Sequence, residues 1–254
     1  MTTPAFCGIA VMAKASKPGR TKTRLSPPLT GDEAALFNTA FLRDIAANLM
    51  DAGTCASIAG YMAFGPPGES AFFDFLPEAI GIFEAWRPDF GACLSGTIAE
   101  LLRRGHGAAC VLNADSPTLP PAFLIETAAV LAEPGDRAVL GPSSDGGYYL
   151  LGLKQQHARL FENITWSSEL VAGQTLERAA EIGLPVHILP TWYDVDDADS
   201  LMVLRREVTQ GRAFDAGAAH PAQAHHSRAL IELLDRDAAL SERLAGLVLE
   251  RTVV

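Results

Sequence analysis

Five cations fall in eleven residues near the start of the chain: Lys14, Lys17, Arg20, Lys22 and Arg24, within the run KASKPGRTKTRL. Lys and Arg supply charge-assisted hydrogen bonds to phosphate oxygens, and Gly19 lets backbone come close to a ligand. Two further runs are acidic. Asn113-Ala114-Asp115-Ser116-Pro117 closes an apolar stretch, and residues 193–199 (YDVDDAD) hold four aspartates in six positions. A hard divalent ion such as Mg²⁺ takes one or two carboxylates together with substrate phosphate oxygens. Asp194 and Asp196 alternate, so on a strand they share a face and could hold one cation with Asp115. Cation, carboxylates and a phosphate cradle are the parts of phosphate chemistry.

Each run also has a plainer reading. Charge runs are usually solvated surface. Asp115 can cap the turn that Asp-Ser-Pro favours. Two of the four aspartates suit a helix N-terminus on dipole grounds alone. A fourth group, residues 141–149 (GPSSDGGYY), places Asp145-Gly146-Gly147 either in a hairpin turn or beside a pocket. Tyr148 and Tyr149 either line that pocket or face opposite sides of a strand. Asp44, on the flank of the first helix's apolar face, reads as a structural carboxylate pairing with the basic loop. His220, His225 and His226 fall in an Ala-rich stretch and read as solvated. The basic loop lacks the glycines of GxxxxGK[ST] and of G-x-G-x-x-G, and no GxSxG elbow occurs.

These runs need a scaffold, and the composition allows one. The chain has 254 residues, 48% of them hydrophobic, with 20 basic against 30 acidic side chains and a net charge of −10. That supports a sizeable core and makes nucleic acid a poor electrostatic partner. No apolar run reaches the roughly 18 residues of a membrane span, and no basic n-region suggests a signal peptide. The cysteines (Cys7, Cys55, Cys93, Cys110) form no CxxC pair. Cys7, Cys55 and Cys110 lie in apolar runs and read as core hydrophobes of a cytoplasmic protein.

Apolar runs alternating with helical periodicity predict an α/β sheet with crossover helices. Strands are expected over 8–13, 57–64, 79–83, 108–114, 137–141, 148–153 and 186–189. Thr30-Gly31-Asp32-Glu33 is a capping box opening a helix whose face is Phe37, Phe41, Ile45 and Leu49, with Gly53 as its C-cap. Further helices are expected over 94–104, 120–132, 168–182 and 198–208. The main domain would cover 1–210. A linker would follow over 211–226, then one or two helices over 227–250. Those helices are candidates for homodimerisation or for covering an acceptor pocket.

The order of AKASKPGRTKTRL, NADSPTLP, GPSSDGGYYLLGL, NITWSS and DVDDADSL resembles the DUF2064 family over about residues 8–208. That family is similar to the GT-A nucleotide-diphospho-sugar transferase superfamily and carries the labels transferase 1, rSAM/selenodomain-associated, and arsenosugar-biosynthesis glycosyltransferase. The pattern is also similar to the phospholactate guanylyltransferases. The resemblance implies a three-layer α/β/α, Rossmann-like, mostly parallel sheet with a C-terminal helical extension. It implies that Lys14, Arg20, Lys22 and Arg24 contact nucleotide phosphates, and that Asp115 and Asp196 hold Mg²⁺ or Mn²⁺ with Asp194 in reserve. Asp145, Gly146 and Gly147 would line the acceptor pocket, with Tyr148 beside them. Where members show a G-E-R-M-like stretch, this chain reads Gly91-Ala92-Cys93-Leu94.

Two reactions fit these parts. In nucleotidyl transfer, a phosphorylated or phosphonate acceptor attacks the α-phosphorus of a nucleoside triphosphate. In glycosyl transfer, an acceptor attacks the sugar carbon of a nucleotide-sugar. Both need a cation on the leaving phosphates, and Lys22 and Asp115 are the expected catalytic pair. The cation density after the first strand favours the triphosphate. An inactive nucleotide-binding or scaffold protein is the alternative from another class.

Overall fold

The computed structural model describes residues 6–214, 219–237 and 243. Strand β1 (Cys7–Ala13) is apolar on both faces and lies mid-sheet, parallel to β2 (Ile58–Phe64) on one side and β4 (Ala108–Leu112) on the other. With β3 (Gly81–Glu84), β5 (Ala138–Pro142), β6 (Tyr148–Leu153) and β7 (Val186–Ile188), the sheet order is β3-β2-β1-β4-β6-β5-β7. Only β6 runs antiparallel to its neighbours, because it returns from β5 through a hairpin.

The alternation of side chains along each strand feeds two cores. Ile9, Val11, Cys110 and Leu112 pack with Phe37, Phe41, Ile45 and Leu49 of α1 (Gly31–Cys55). The same side is covered by α3 (Pro121–Ala132), α5 (Ala198–Gln210) and α6 (His225–Leu234). Ala10, Ala109 and Val111 face the other side. There they meet Leu94, Ile98 and Leu101 of α2 (Phe90–Arg103) and Ala179 of α4 (Val171–Glu181). This is the expected three-layer, mostly parallel α/β/α fold. No helix among the described residues is long and apolar enough to cross a membrane.

The capping box forms: Glu33 N donates to Thr30 Oγ1 at 3.2 Å and Thr30 N to Glu33 Oε2 at 2.7 Å. Several local expectations are corrected. Gly53 is not a C-cap, because α1 continues past it to Cys55 and is closed by Ala56 N donating to Ala52 O. Cys55 is therefore exposed at a helix end, whereas Cys7 and Cys110 are buried on neighbouring strands. Helix α4 starts at Val171, since the Ser168 hydroxyl closes a separate turn by donating to Thr165 O. Asp44 does not pair with the basic loop. It accepts from His226 N and Ser227 N, both at 2.8 Å, and from Ser227 Oγ at 2.6 Å, so it caps α6. Helix α6 thus starts within the expected linker; the expected helical stretch beyond it lies largely outside the described residues.

Candidate active site

The basic loop leaves the C-terminal end of β1, and two contacts fold it. Thr21 Oγ1 donates to Lys17 O at 3.1 Å, and Asn38 Nδ2 of α1 donates to Lys14 O at 3.0 Å. Lys22 then adopts a left-handed backbone (φ 52°, ψ 38°), which is unfavourable for a residue with a Cβ. Its side chain gives the compensation. Only 5% exposed, the ammonium lies 2.6 Å from Asp115 Oδ1 and 3.1 Å from Asp196 Oδ1, and it donates to Val195 O at 2.7 Å. It also stands over the Phe41 ring. Three donors meet three acceptors from two strand-end segments.

Those segments are tied to each other as well. Val195 N donates to Asp115 O at 2.8 Å, and Ser116 Oγ donates to Tyr193 O at 2.9 Å. Residues 194–196 follow a single bridge at Trp192 and form no strand, contrary to expectation, because Val195 pairs with residue 115 instead. Asp194 and Asp196 still converge. One carboxylate oxygen each from Asp145, Asp194 and Asp196 lies within 4.8 Å of the others. Asp145 comes from the β5–β6 hairpin, where its Oδ1 accepts from Gly147 N at 2.9 Å. Burial, then the charges of Asp145, Asp196 and Asp115, push the Asp194 carboxyl up to about 7. Asp197 instead caps α5 by accepting from Ser200 N at 2.9 Å.

Lys14, Arg20, Lys22, Arg24, Asp115, Asp145, Gly147, Tyr148, Asp194 and Asp196 all line one cleft of about 900 Å³ at the C-terminal ends of the strands. Gly19 and Gly146 are not among its lining residues. Gly146 (φ +90°) has backbone of Glu169 where a side chain would be: a Cβ would come 2.2 Å from Glu169 O. The five loop cations are not equivalent. Lys17 pairs with Glu69, Lys22 with Asp115 and Asp196, and Arg24 with Asp196. Among the described residues Lys14 and Arg20 have no ion-pair partner.

Sequence reasoning gave no role to the part of the cleft lined by Phe90, Trp166, Ser167 and Glu169. The NITWSS run was a signal for it, but a lone aromatic beside serines has no spacing that distinguishes a wall from a core. Gly91, in the stretch that departs from the family pattern, sits where a Cβ would be 2.9 Å from the Trp166 ring.

The chain is similar to known folds. A Desulfovibrio desulfuricans G20 crystal structure provisionally described as a nucleotide-diphospho-sugar transferase is 24% identical, with 93% of this chain and 97% of that chain covered and a TM-score of 0.77. CMP:2-keto-3-deoxy-manno-octonic acid synthetase complexed with CTP is 12% identical, covering 81% and 99%, with a TM-score of 0.51. A cytidylyltransferase from Leptospira borgpetersenii serovar Hardjo-bovis (strain JB197) is 10% identical, covering 92% and 96%, also at 0.51. No curated protein matches the chain in sequence. Residues 48–168 match the family model described as "Uncharacterized protein conserved in bacteria (DUF2064)". Residues 48–168 are thus similar to the DUF2064 family model, and the chain shares the fold of the Desulfovibrio structure.

Proposed function

We propose that the protein is a divalent-cation-dependent transferase whose donor is a nucleotide-sugar. One observation carries the reading: Lys14 and Arg20, two loop cations without an ion-pair partner among the described residues, line the same cleft as a three-carboxylate group at the ends of the strands. Two such cations suit a diphosphate better than a triphosphate, since the other three of the five are ion-paired. The fold shared with the structure provisionally described as a nucleotide-diphospho-sugar transferase is in keeping with the same donor class.

The donor set fits a hard divalent ion, Mg²⁺ or Mn²⁺. Asp145, Asp194 and Asp196 offer oxygen ligands only, and their mutual repulsion is what a cation relieves. When bound, the ion neutralises charge on the leaving phosphates. Lys14 and Arg20 bind those phosphates, and Lys22 holds Asp115 and Asp196 in place. Nucleotidyl transfer is the second reading. It draws on the cation density of the loop and on the fold shared with a synthetase bound to CTP.

Thermal shifts with nucleoside triphosphates, diphosphates and nucleotide-sugars, with and without Mg²⁺, test the proposal. A Mg²⁺-dependent shift with a diphosphate and its sugar conjugate is expected. A shift with a triphosphate alone, coupled to pyrophosphate release, would replace it with the second reading; no shift with any nucleotide would favour the scaffold.

A further inference from the structure

The three clustered carboxylates do not offer a cation the same oxygens. Asp145 and Asp194 have no ion-pair partner among the described residues, and Asp145 spends only Oδ1, accepting from Gly147 N at 2.9 Å. Asp196 differs. Its Oδ1 takes the Lys22 ammonium at 3.1 Å and its Oδ2 takes the Arg24 guanidinium, so both oxygens are engaged. Its backbone N donates to Ser200 Oγ at 3.0 Å, which fixes the root of the carboxylate. A divalent ion that draws on all three carboxylates therefore has to take or share an oxygen that already carries a charge.

The two cations on Asp196 are not equally displaceable. The Lys22 side chain is 5% exposed, and its ammonium also has Asp115 at 2.6 Å and Val195 O at 2.7 Å. Moving it would strand buried charge. The Arg24 side chain is 69% exposed, and Asp196 is its one ion-pair partner among the described residues. An exposed pair of that kind is worth little, and a guanidinium that leaves it regains water. At equal distance a divalent charge is also attracted twice as strongly as a single one. Arg24 lines the same cleft as Lys14 and Arg20, so off Asp196 it still borders the ligand. Asp197 is the other anion in reach: the Ser200 N–H first, and Arg24 among the smaller causes, hold its carboxyl below the ordinary value.

We propose that Arg24 is an exchangeable counter-ion of the cation site. It occupies Asp196 Oδ2 until the three carboxylates take a divalent ion, and its released guanidinium then closes on the anionic ligand beside that ion. Lys22 stays on Asp115 throughout, and Lys14 and Arg20 are the cations open to the ligand beforehand. Resting on the transferase reading above, the exchange adds a coupling between the two ligands. Cation binding frees an arginine for the anion, and the anion, by holding that arginine, raises cation affinity by the same factor.

Calorimetric titration of the full chain with Mn²⁺ alone tests the first half, on wild type, Arg24→Ala and Arg24→Lys. Loss of a competitor predicts that Arg24→Ala binds Mn²⁺ about two- to five-fold tighter, while Arg24→Lys, which keeps the charge, stays near wild type. Titration with UDP, GDP, CDP and ADP at saturating Mn²⁺ tests the second half. Arg24→Ala should hold the diphosphate that wild type prefers about ten-fold more weakly. One substitution thus moves two affinities in opposite directions, which a merely loosened loop would not do. Mn²⁺ binding unchanged or weakened in Arg24→Ala overturns the exchange. Tighter Mn²⁺ with an unchanged diphosphate overturns the closure on the ligand and leaves Asp197 as the partner of the released arginine. A wild-type chain that binds Mn²⁺ but no nucleotide overturns the transferase reading, while the Mn²⁺ titrations still decide the exchange; one that binds no Mn²⁺ overturns both.

Discussion

The Lys22 ammonium lies 2.6 Å from Asp115, and that pair joins the loop after β1 to the end of β4. Through Asp196, the same ammonium also reaches the segment that follows β7. A single cation thus fixes the mutual positions of three stretches that are far apart in the chain.

Lys22→Met leaves Asp115 and Asp196 facing each other without their shared cation. Both carboxylates are partly solvated, so the expected loss is about 1–3 kcal/mol, below the range for fully buried pairs. Urea unfolding measures it. Divalent cation should restore more stability to this variant than to the wild type, since it can take over part of the neutralising role.

The Asp194 carboxyl, pushed up to about 7, gives a pH dependence of definite sign. Its folded value lies above its unfolded one, so the folded state binds the extra proton between roughly pH 4 and 7. Stability in EDTA should fall as pH rises through that window and then level off. Asp194→Asn should flatten this slope and gain roughly 1–2 kcal/mol at pH 8 in EDTA, after allowance for solvent screening. The same variant should lose stabilisation by Mg²⁺. A slope unchanged by the substitution would contradict the assignment.

Gly146→Ala tests how the hairpin turn is supported. The added Cβ would collide with Glu169 backbone and sit on a left-handed residue, so about 2–4 kcal/mol should be lost. Because Asp145 is next to it, metal affinity should fall along with the melting temperature.

The sequence shows the scaffold more clearly than the site. Strand β1, the Thr30–Glu33 capping box and the Phe37–Leu49 face are each set by residues a few positions apart, and such local patterns are readable. The cleft depends on contacts that no local pattern encodes. Asp44 is a helix cap only because α6 packs back onto α1. Asp145 joins Asp194 and Asp196 only because the β5–β6 hairpin lies beside the segment after β7. The pairing of Lys17, Lys22 and Arg24 with carboxylates was likewise invisible, and it changes how many charges are left for a phosphate.

Asp44→Ala removes three hydrogen bonds at the start of α6 at once. A loss of about 2–3 kcal/mol is expected, with hydrogen exchange accelerated first in residues 225–234. Exchange that speeds up uniformly across the sheet would show that α6 is not separately anchored.

The claim that metal and loop cations jointly grip a diphosphate is tested most directly by calorimetric titration of a nucleoside diphosphate in Mg²⁺ and again in EDTA. Wild type should bind only with Mg²⁺, Asp145→Asn and Asp196→Asn should lose binding, and Arg20→Ala should weaken it about ten-fold or more. Equal binding in EDTA, untouched by the two aspartate substitutions, would contradict it.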